Sequence, residues 1–412
     1  MAPPSGNRRP SPGVKPLKST NPGKKTKPRN QISKTSQPKS HDRSHPEDVS
    51  NPSSVLPLDL QQLVLNIFRD TFASRFNDTL PSSIQAIKKC LYNRDFANAF
   101  GKEEYLEAYA MRWSPSRALA YMDIFCSLPD LRSNLTSSSR GRSRENQRSL
   151  DSPEQGEGLD FKASTHPKGA TKILCLGGGA GAEVAALAGY LRYLNAQQPE
   201  RGRSPPVENK PLTRFGITAV DIADWSAILH NLSSTITIPP SISQYASPAA
   251  KASSIPLVSP DSYSVQFLMH DLLNMEVDKL APLLKDTSLV TLMFILNELY
   301  TTSMPSTTTL LLSLTFLLAP GSLLLVVDSP GSYSTVSVGN DQKAEKKYPM
   351  QWLLDHTLLE SSALGSSKNS TQERQWEKLD SCGSRWFRLG EGLRYGLDLE
   401  DMRYQVHLYR KV

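Results

Sequence analysis

"ILCLGGGAGAE" (Ile173–Glu183) is an apolar run that stops in a glycine cluster and then turns helical. Glycine is favoured where a chain turns with unusual dihedrals or where a ligand approaches the main chain closely. A strand, a glycine turn and a helix in that order make a nucleotide-like ligand the first candidate.

Working outward, strands and helices alternate. Apolar runs predict strands at 171–176, 215–222, 263–270, 288–296 and 322–328, with helices near 181–196, 224–232, 276–285, 305–318 and 349–359. Near-continuous apolar strands separated by helices indicate a parallel sheet covered on both faces. At the end the alternation breaks: 384–389 and 404–412 read as two strands joined by a loop, which favours an antiparallel pair. The expected fold is α/β, Rossmann-like, with a mostly parallel seven-stranded sheet ending in an antiparallel hairpin.

Upstream, Leu60, Leu63, Val64, Ile67, Phe68, Phe72 and Phe76 recur at helical spacing. Further helices are expected at about 83–99 and 103–112, and another in "WSPSRALAYMDIF", with Ser114 as N-cap and Pro115 at the first helical position. Four divisions follow: a basic disordered tail over 1–55, a helical segment over 56–131, a flexible linker over 132–168, and the α/β domain over 169–412. Polar, Pro-rich insertions are expected near 197–211, 239–262 and 361–372.

The 412 residues carry a formal net charge of +7 and 30 prolines. Such a chain favours anionic partners, and part of it is not packed. The tail reads either as a solubilising arm or as an RNA-tethering or nuclear-import segment. Four scattered cysteines, Cys90, Cys126, Cys175 and Cys382, suggest neither a zinc cage nor a disulfide framework, and no metal is expected. No secretory signal opens the chain. The apolar stretch 310–327 is broken at Pro320-Gly321, which favours a buried helix, a turn and a buried strand over a membrane span.

Gly177, Gly179 and Gly181 make GxGxG, and Ala182 would also complete a GxGxxA dinucleotide fingerprint. S-adenosylmethionine (SAM) and a nicotinamide dinucleotide therefore both stay open. Asp221 closes the second strand, where a carboxylate accepts ribose hydroxyls, with Ile222 beside it. Asp271 closes the third, suited to the adenine amine, with Leu272 against the ring. Asn297 and Glu298 emerge from the fourth, where a methyltransferase places polar groups beside the sulfonium and the acceptor. A turn, a strand stop or a helix start or cap is the bland alternative for each of these polar residues. Lys88, Lys89, Arg94, Arg112, Trp113 and Arg117 mix cations with an aromatic, either to hold RNA or as a solvated face around a core tryptophan. Tyr333 either shapes an acceptor pocket or sits in a turn.

"ILCLGGGAGAE", "AVDIADW", "HDLLN", "NELY" and "RWSPSRALAYMDIF" together resemble the fungal 25S ribosomal RNA (uridine-N(3)) methyltransferases. The resemblance implies a class I methyltransferase fold and methyl transfer from SAM to a uridine imide nitrogen in large-subunit rRNA or pre-ribosomal particles. It also implies a monomer acting in the nucleus, with the nucleolus included, and the cytoplasm. SAM would be held by Gly177, Gly178, Gly179, Gly181, Glu183, Asp221, Ile222, Asp271, Leu272 and Asn297. Glu298 would be the base and Asn297 a uracil hydrogen-bonding group; RNA would be held by Lys88, Lys89, Arg112, Trp113 and Arg117. Cys175 stands where class I enzymes often carry an acid, and Glu183 or a bound water is the expected substitute. An oxidoreductase, a non-catalytic assembly factor of the same fold and a protein methyltransferase are the alternatives.

Overall fold

The computed structural model describes residues 56–136, 166–197, 213–240, 245, 247, 254–331, 333–337, 345–360 and 374–412. The expected basic tail and most of the expected linker and insertions lie outside them.

Strands β1 (Thr171–Leu176), β2 (Phe215–Asp221), β3 (Tyr263–Met269), β4 (Thr287–Met293) and β5 (Leu323–Asp328) are parallel to one another. After a small antiparallel pair, β6 (Tyr333–Ser337) with β7 (Glu345–Pro349), come β8 (Trp376–Phe387) and β9 (Met402–Lys411). The seven-stranded sheet runs β3-β2-β1-β4-β5-β9-β8. The hairpin folds back so that β9 inserts antiparallel between β5 and β8. An all-parallel dinucleotide-binding sheet has no such strand.

Each central strand feeds two cores because successive side chains point to opposite faces. Ile173 and Cys175 of β1, with Leu323, Leu325 and Val327 of β5, join one core. Leu174, Leu176, Leu324 and Val326 join the other. The first core is covered by α1 (Leu58–Thr71), α4 (Glu103–Ser127), α5 (Ala182–Ala196) and α6 (Ser226–Thr237), and the helical segment at 56–131 thus packs directly on the sheet. Helices α2 (Leu80–Tyr92) and α3 (Phe96–Ala99) lie between α1 and α4 in sequence. The second core is covered by α7 (Val277–Leu284), α8 (Leu296–Thr302), α9 (Met304–Leu317) and α10 (Met350–Asp355). The apolar stretch 310–327 becomes the end of α9, a turn and β5; among the described residues no helix is long and apolar enough to cross a membrane.

Four expectations need correction. Ser114 does not cap a helix: Pro115 sits inside the continuous 25-residue α4. Strand β4 stops at Met293 rather than 296, because Phe294 adopts φ +60° and the next helix begins at Leu296. Residues 132–136 continue a helix with Leu135 buried, and His166 bonds Ser264 Oγ at 2.7 Å, so both ends of the expected linker are packed. Within the expected insertion at 239–262, Leu257 and Val258 are buried and Val258 N–H donates to Ile236 O at 3.3 Å.

Candidate active site

A cavity of about 560 Å³ opens at the carboxyl ends of β1 to β4, the edge where open α/β sheets bind ligands, and within the size range of small-molecule sites. Its base is the glycine turn. Gly177 and Gly181 have φ of +82° and +81°, which L side chains avoid. A side chain at any of these glycines would meet the chain itself. A Cβ at Gly177 would run into Ile295, at Gly179 into Trp225, and at Gly181 into Leu232. At Gly178 it would lie 2.7 Å from Glu183 Oε2 and 2.8 Å from Cys175 Cβ. The glycines are thus demanded first by the packing of aromatic and aliphatic side chains under the turn. That packing holds the backbone at the cavity.

Acidic groups line the floor. Asp221, from the end of β2, accepts from Gly179 N–H at 3.1 Å and Ala223 N–H at 3.2 Å. These two bonds lock the glycine turn to β2 and leave further lone pairs on both oxygens. Burial raises the pKa of Asp221, against the pull of those N–H groups. Glu183 is buried in the first turn of α5, bonded to the Thr291 hydroxyl, with the Cys175 thiol against it. Burial pushes its carboxyl up to about 8; the Asp221 charge adds to this, and the Thr291 and Cys175 hydrogen bonds oppose it. Glu183 therefore lies beside Cys175 beneath the glycine turn.

The opposite wall comes from the helical segment. Arg117 of α4 donates to Tyr109 Oη at 2.7 Å and lies 5.7 Å from the ring centroids of both Tyr109 and Phe294. Burial opposes its charge, but Tyr109 and Tyr121 outweigh that and its pKa is raised. Phe100, Tyr109 and Tyr121 complete the wall. At the mouth Glu298, in the first turn of α8, pairs with Arg94.

The matched family model spans residues 68–410 and describes SAM-dependent methyltransferases. The chain belongs to this family. This methyltransferase is 30% identical over 374 residues, 88% of each chain, to the 25S rRNA (uridine(2843)-N(3))-methyltransferase of Saccharomyces cerevisiae. Among solved structures it is similar to a SAM-dependent methyltransferase from Methanosarcina mazei, at 10% identity and TM-score 0.30, covering 59% of this chain and 93% of that one. It is also similar to the 16S rRNA (adenine(1408)-N(1))-methyltransferase of Catenulisporales acidiphilia, at 13% identity and TM-score 0.29, covering 61% and 88%. Both likenesses are distant, and the strand order carries the fold.

SAM fits the residues present. Asp221 offers acceptor sites for a diol, the Arg117 guanidinium faces the cavity where a carboxylate can meet it, and Leu272 supplies an apolar surface. Of the cofactor residues expected from sequence, Gly177, Gly178, Gly181, Glu183, Asp221, Ile222, Asp271 and Leu272 line the cavity. Asp271 also caps a short helix, accepting from Leu273 N–H at 2.9 Å. Gly179 and Asn297 stand behind the lining. Gly179 is turned to Trp225, and the Asn297 backbone N–H donates to Asp328 at 3.1 Å.

The residues expected to hold RNA divide. Lys88 and Lys89 are exposed on α2. Arg112 is buried, donating to Asp398 O at 3.0 Å and pairing with Glu400, so it is not available to a phosphate. Trp113 packs on Tyr109, centroids 4.9 Å apart, and Arg117 belongs to the cavity. The side chain of Tyr333 is outside the described residues. Sequence reading missed Asp328, which closes β5 as Asp221 closes β2, and holds the Asn297 and Ser329 N–H groups. Burial raises its pKa to about 6. The same signal, an acid ending an apolar strand, was present there. Tyr109, Tyr121 and Phe294 left no local signal. Among the described residues no cluster of His, Cys, Asp and Glu is placed to hold a metal ion.

Proposed function

We propose that this methyltransferase modifies N(3) of a uridine in large-subunit (25S) ribosomal RNA. The observation that carries the reading is the 30% identity, spread over 88% of both chains, with a relative named for that reaction. Bound SAM supplies a methyl group already activated on a sulfonium. Asp221 takes the ribose hydroxyls, Asp271 and Leu272 the adenine, and the Arg117 guanidinium and the Glu183 carboxyl the amino-acid end.

Uridine N(3) carries a proton and a delocalised lone pair, so the chain must supply a base as well as alignment. Glu298 is the group for that task, because its carboxylate lies at the cavity mouth while Asn297 stands off it. Asp328 fixes the first turn of α8 through the Asn297 N–H and so aims Glu298. We assign Asn297 to that turn rather than to the uracil.

N(3) lies on the Watson–Crick edge, so a paired uridine must be opened or flipped out before reaction. The substrate is then an exposed uridine in rRNA or a pre-ribosomal particle, approached along the face bearing Lys88 and Lys89. With such a substrate the protein would act in ribosome biogenesis, in the nucleus and nucleolus and extending to the cytoplasm, and we read it as a monomer.

Incubation with labelled SAM and total RNA from a strain lacking the gene, followed by nucleoside analysis, tests this reading. Labelled 3-methyluridine in the large rRNA is expected. Label confined to protein, or to another nucleoside, overturns it.

A further inference from the structure

Helix α2 ends at Tyr92 with Asn93 as its C-cap, and the next residue, Arg94, takes φ +56°. Its N–H donates to Leu91 O at 3.0 Å, and Asp95 N–H donates to Cys90 O at 2.9 Å, closing the turn. Glycine or asparagine is the usual occupant of such a left-handed position, because an L side chain there is strained. An arginine therefore stands here against the local preference. Its backbone has no need of the side chain, but the cavity does: the guanidinium passes over the Phe96 ring, 5.6 Å from its centroid, and reaches Glu298. Arg94, Phe96 and Glu298 all line the cavity mouth. Among the described residues three non-glycine positions have positive φ: Arg94, Asp286 and Phe294. Two of the three line this cavity, and strain of that kind concentrates at functional sites.

We propose that Arg94 is a catalytic residue that stabilises the negative charge of the uracil imidate by exchanging Glu298 for a uracil oxygen as its anionic partner. The inference rests on the uridine-N(3) reading above. In the resting site the Arg94 cation faces the Glu298 carboxylate. When Glu298 takes the N(3) proton it becomes neutral, and the charge it held appears on the uracil ring. The cation already stands at the cavity mouth and only changes partner, and a donor in place before the charge develops lowers the barrier. The nitrogen's electron pair then forms the N–CH₃ bond, the pair of the broken S–CH₃ bond stays on sulfur, and Glu298 returns its proton to solvent. Guanidinium suits the role because it stays charged throughout and presents a planar fork to an oxygen edge.

The test uses the full chain and Arg94→Gly, which relieves the backbone strain, so a loss of activity is not a loss of fold. Arg94→Gly should unfold at no lower temperature than the parent and bind SAM with unchanged affinity by calorimetry. Turnover on deletion-strain rRNA should fall about 10²–10³-fold, the usual loss when one oxyanion donor is removed. The rate should continue to climb at alkaline pH where the parent has levelled, because deprotonation of N(3) is no longer assisted. Millimolar guanidinium should restore part of it, and Arg94→Lys should fall between the two. Parental turnover and pH profile in Arg94→Gly would overturn the proposal, as would a loss that neither guanidinium nor pH alters. If the parent makes no 3-methyluridine, the reading beneath the proposal fails and takes it along; if the parent does, only the role of Arg94 is at stake.

Discussion

The Tyr395 hydroxyl donates to Met111 O at 3.0 Å, the carbonyl that Pro115 cannot serve four residues later in α4. A proline inside a helix removes one N–H and orphans one acceptor. Here the acceptor is recovered from a loop 284 residues away. On either side Ser114 Oγ donates to Ala180 O at 2.7 Å and Ser116 Oγ accepts from Glu400 N–H at 3.0 Å. The "RWSPS" segment thus ties α4 to the glycine turn on one side and to the loop before β9 on the other.

Tyr395→Phe should cost about 1–3 kcal/mol, the penalty for a buried acceptor left unpaired. In a Pro115→Ala background the helix regains its own N–H donor, and the same Tyr395→Phe change should cost much less. Urea denaturation of the parent, both single variants and the double variant measures the coupling. Equal costs in both backgrounds would refute the compensation.

Asp221→Asn should weaken SAM binding by about 10–100-fold, corresponding to about 1.5–3 kcal/mol for hydrogen bonds to a charged group. Two effects combine: the ribose loses an anionic acceptor, and one of the Gly179 and Ala223 N–H groups meets an amide NH₂ in place of its acceptor. Calorimetric titration with SAM reads the loss directly. Unchanged affinity would remove Asp221 from the ribose site.

Gly179→Ala adds a Cβ into the Trp225 ring without entering the cavity lining. Overpacking of this kind costs about 1–3 kcal/mol. The displaced indole should carry the glycine turn with it, so SAM affinity falls together with the unfolding temperature. Differential scanning calorimetry with and without SAM separates the two. An alanine variant with parental values in both would show that the turn tolerates a side chain.

Stability should depend on pH through Glu183. Its ordinary value is 4.5 and burial raises it to about 8 in the fold, so between those limits the folded state holds more protons than the unfolded. Unfolding free energy then declines as pH rises through that window, by at most about 1.4 kcal/mol for each pH unit crossed. Asp328, raised to about 6 by burial, adds a decline between 3.8 and 6. Glu183→Gln keeps the shape and abolishes the first contribution, so its advantage over the parent should grow from pH 5 to pH 8 and then level. Urea midpoints at four pH values check the trend; parallel curves would contradict the buried charge.

What could be read in advance follows from where each signal resides. Runs such as Leu323–Asp328 are apolar at every position because both faces of the sheet are covered, so strands β1 to β5 were legible. Asp221 and Asp271 were legible as acids closing apolar strands, and Asp328 was open to the same rule. The course of α4 was not, because local chemistry says that Pro115 starts a helix and only the distant Tyr395 hydroxyl lets it continue. The end of β4 was hidden by the left-handed Phe294, which no pattern of hydrophobicity reveals. Arg112, Trp113 and Arg117 read as a basic aromatic surface, since composition reports which residues a helix carries but not what later packs on them.

That last distinction gives two lysines and one arginine opposite behaviour. Lys88 and Lys89 are exposed, whereas Arg112 is buried against Glu400 and the Asp398 carbonyl. If Lys88 and Lys89 each meet one phosphate, replacing both with alanine should lower the slope of log affinity against log salt by about 1.4–1.8, since each released counterion contributes about 0.7–0.9. Folding stability should stay within about 0.5 kcal/mol, as expected for exposed positions. Arg112→Ala should do the reverse: a stability loss of about 1–3 kcal/mol, because Asp398 O loses its donor and Glu400 its partner, with an unchanged salt slope. Filter binding of rRNA fragments from 50 to 200 mM salt, paired with urea denaturation, reads both quantities on the same preparations. A salt slope that falls in Arg112→Ala and holds in the lysine variant would move the RNA path from α2 to α4.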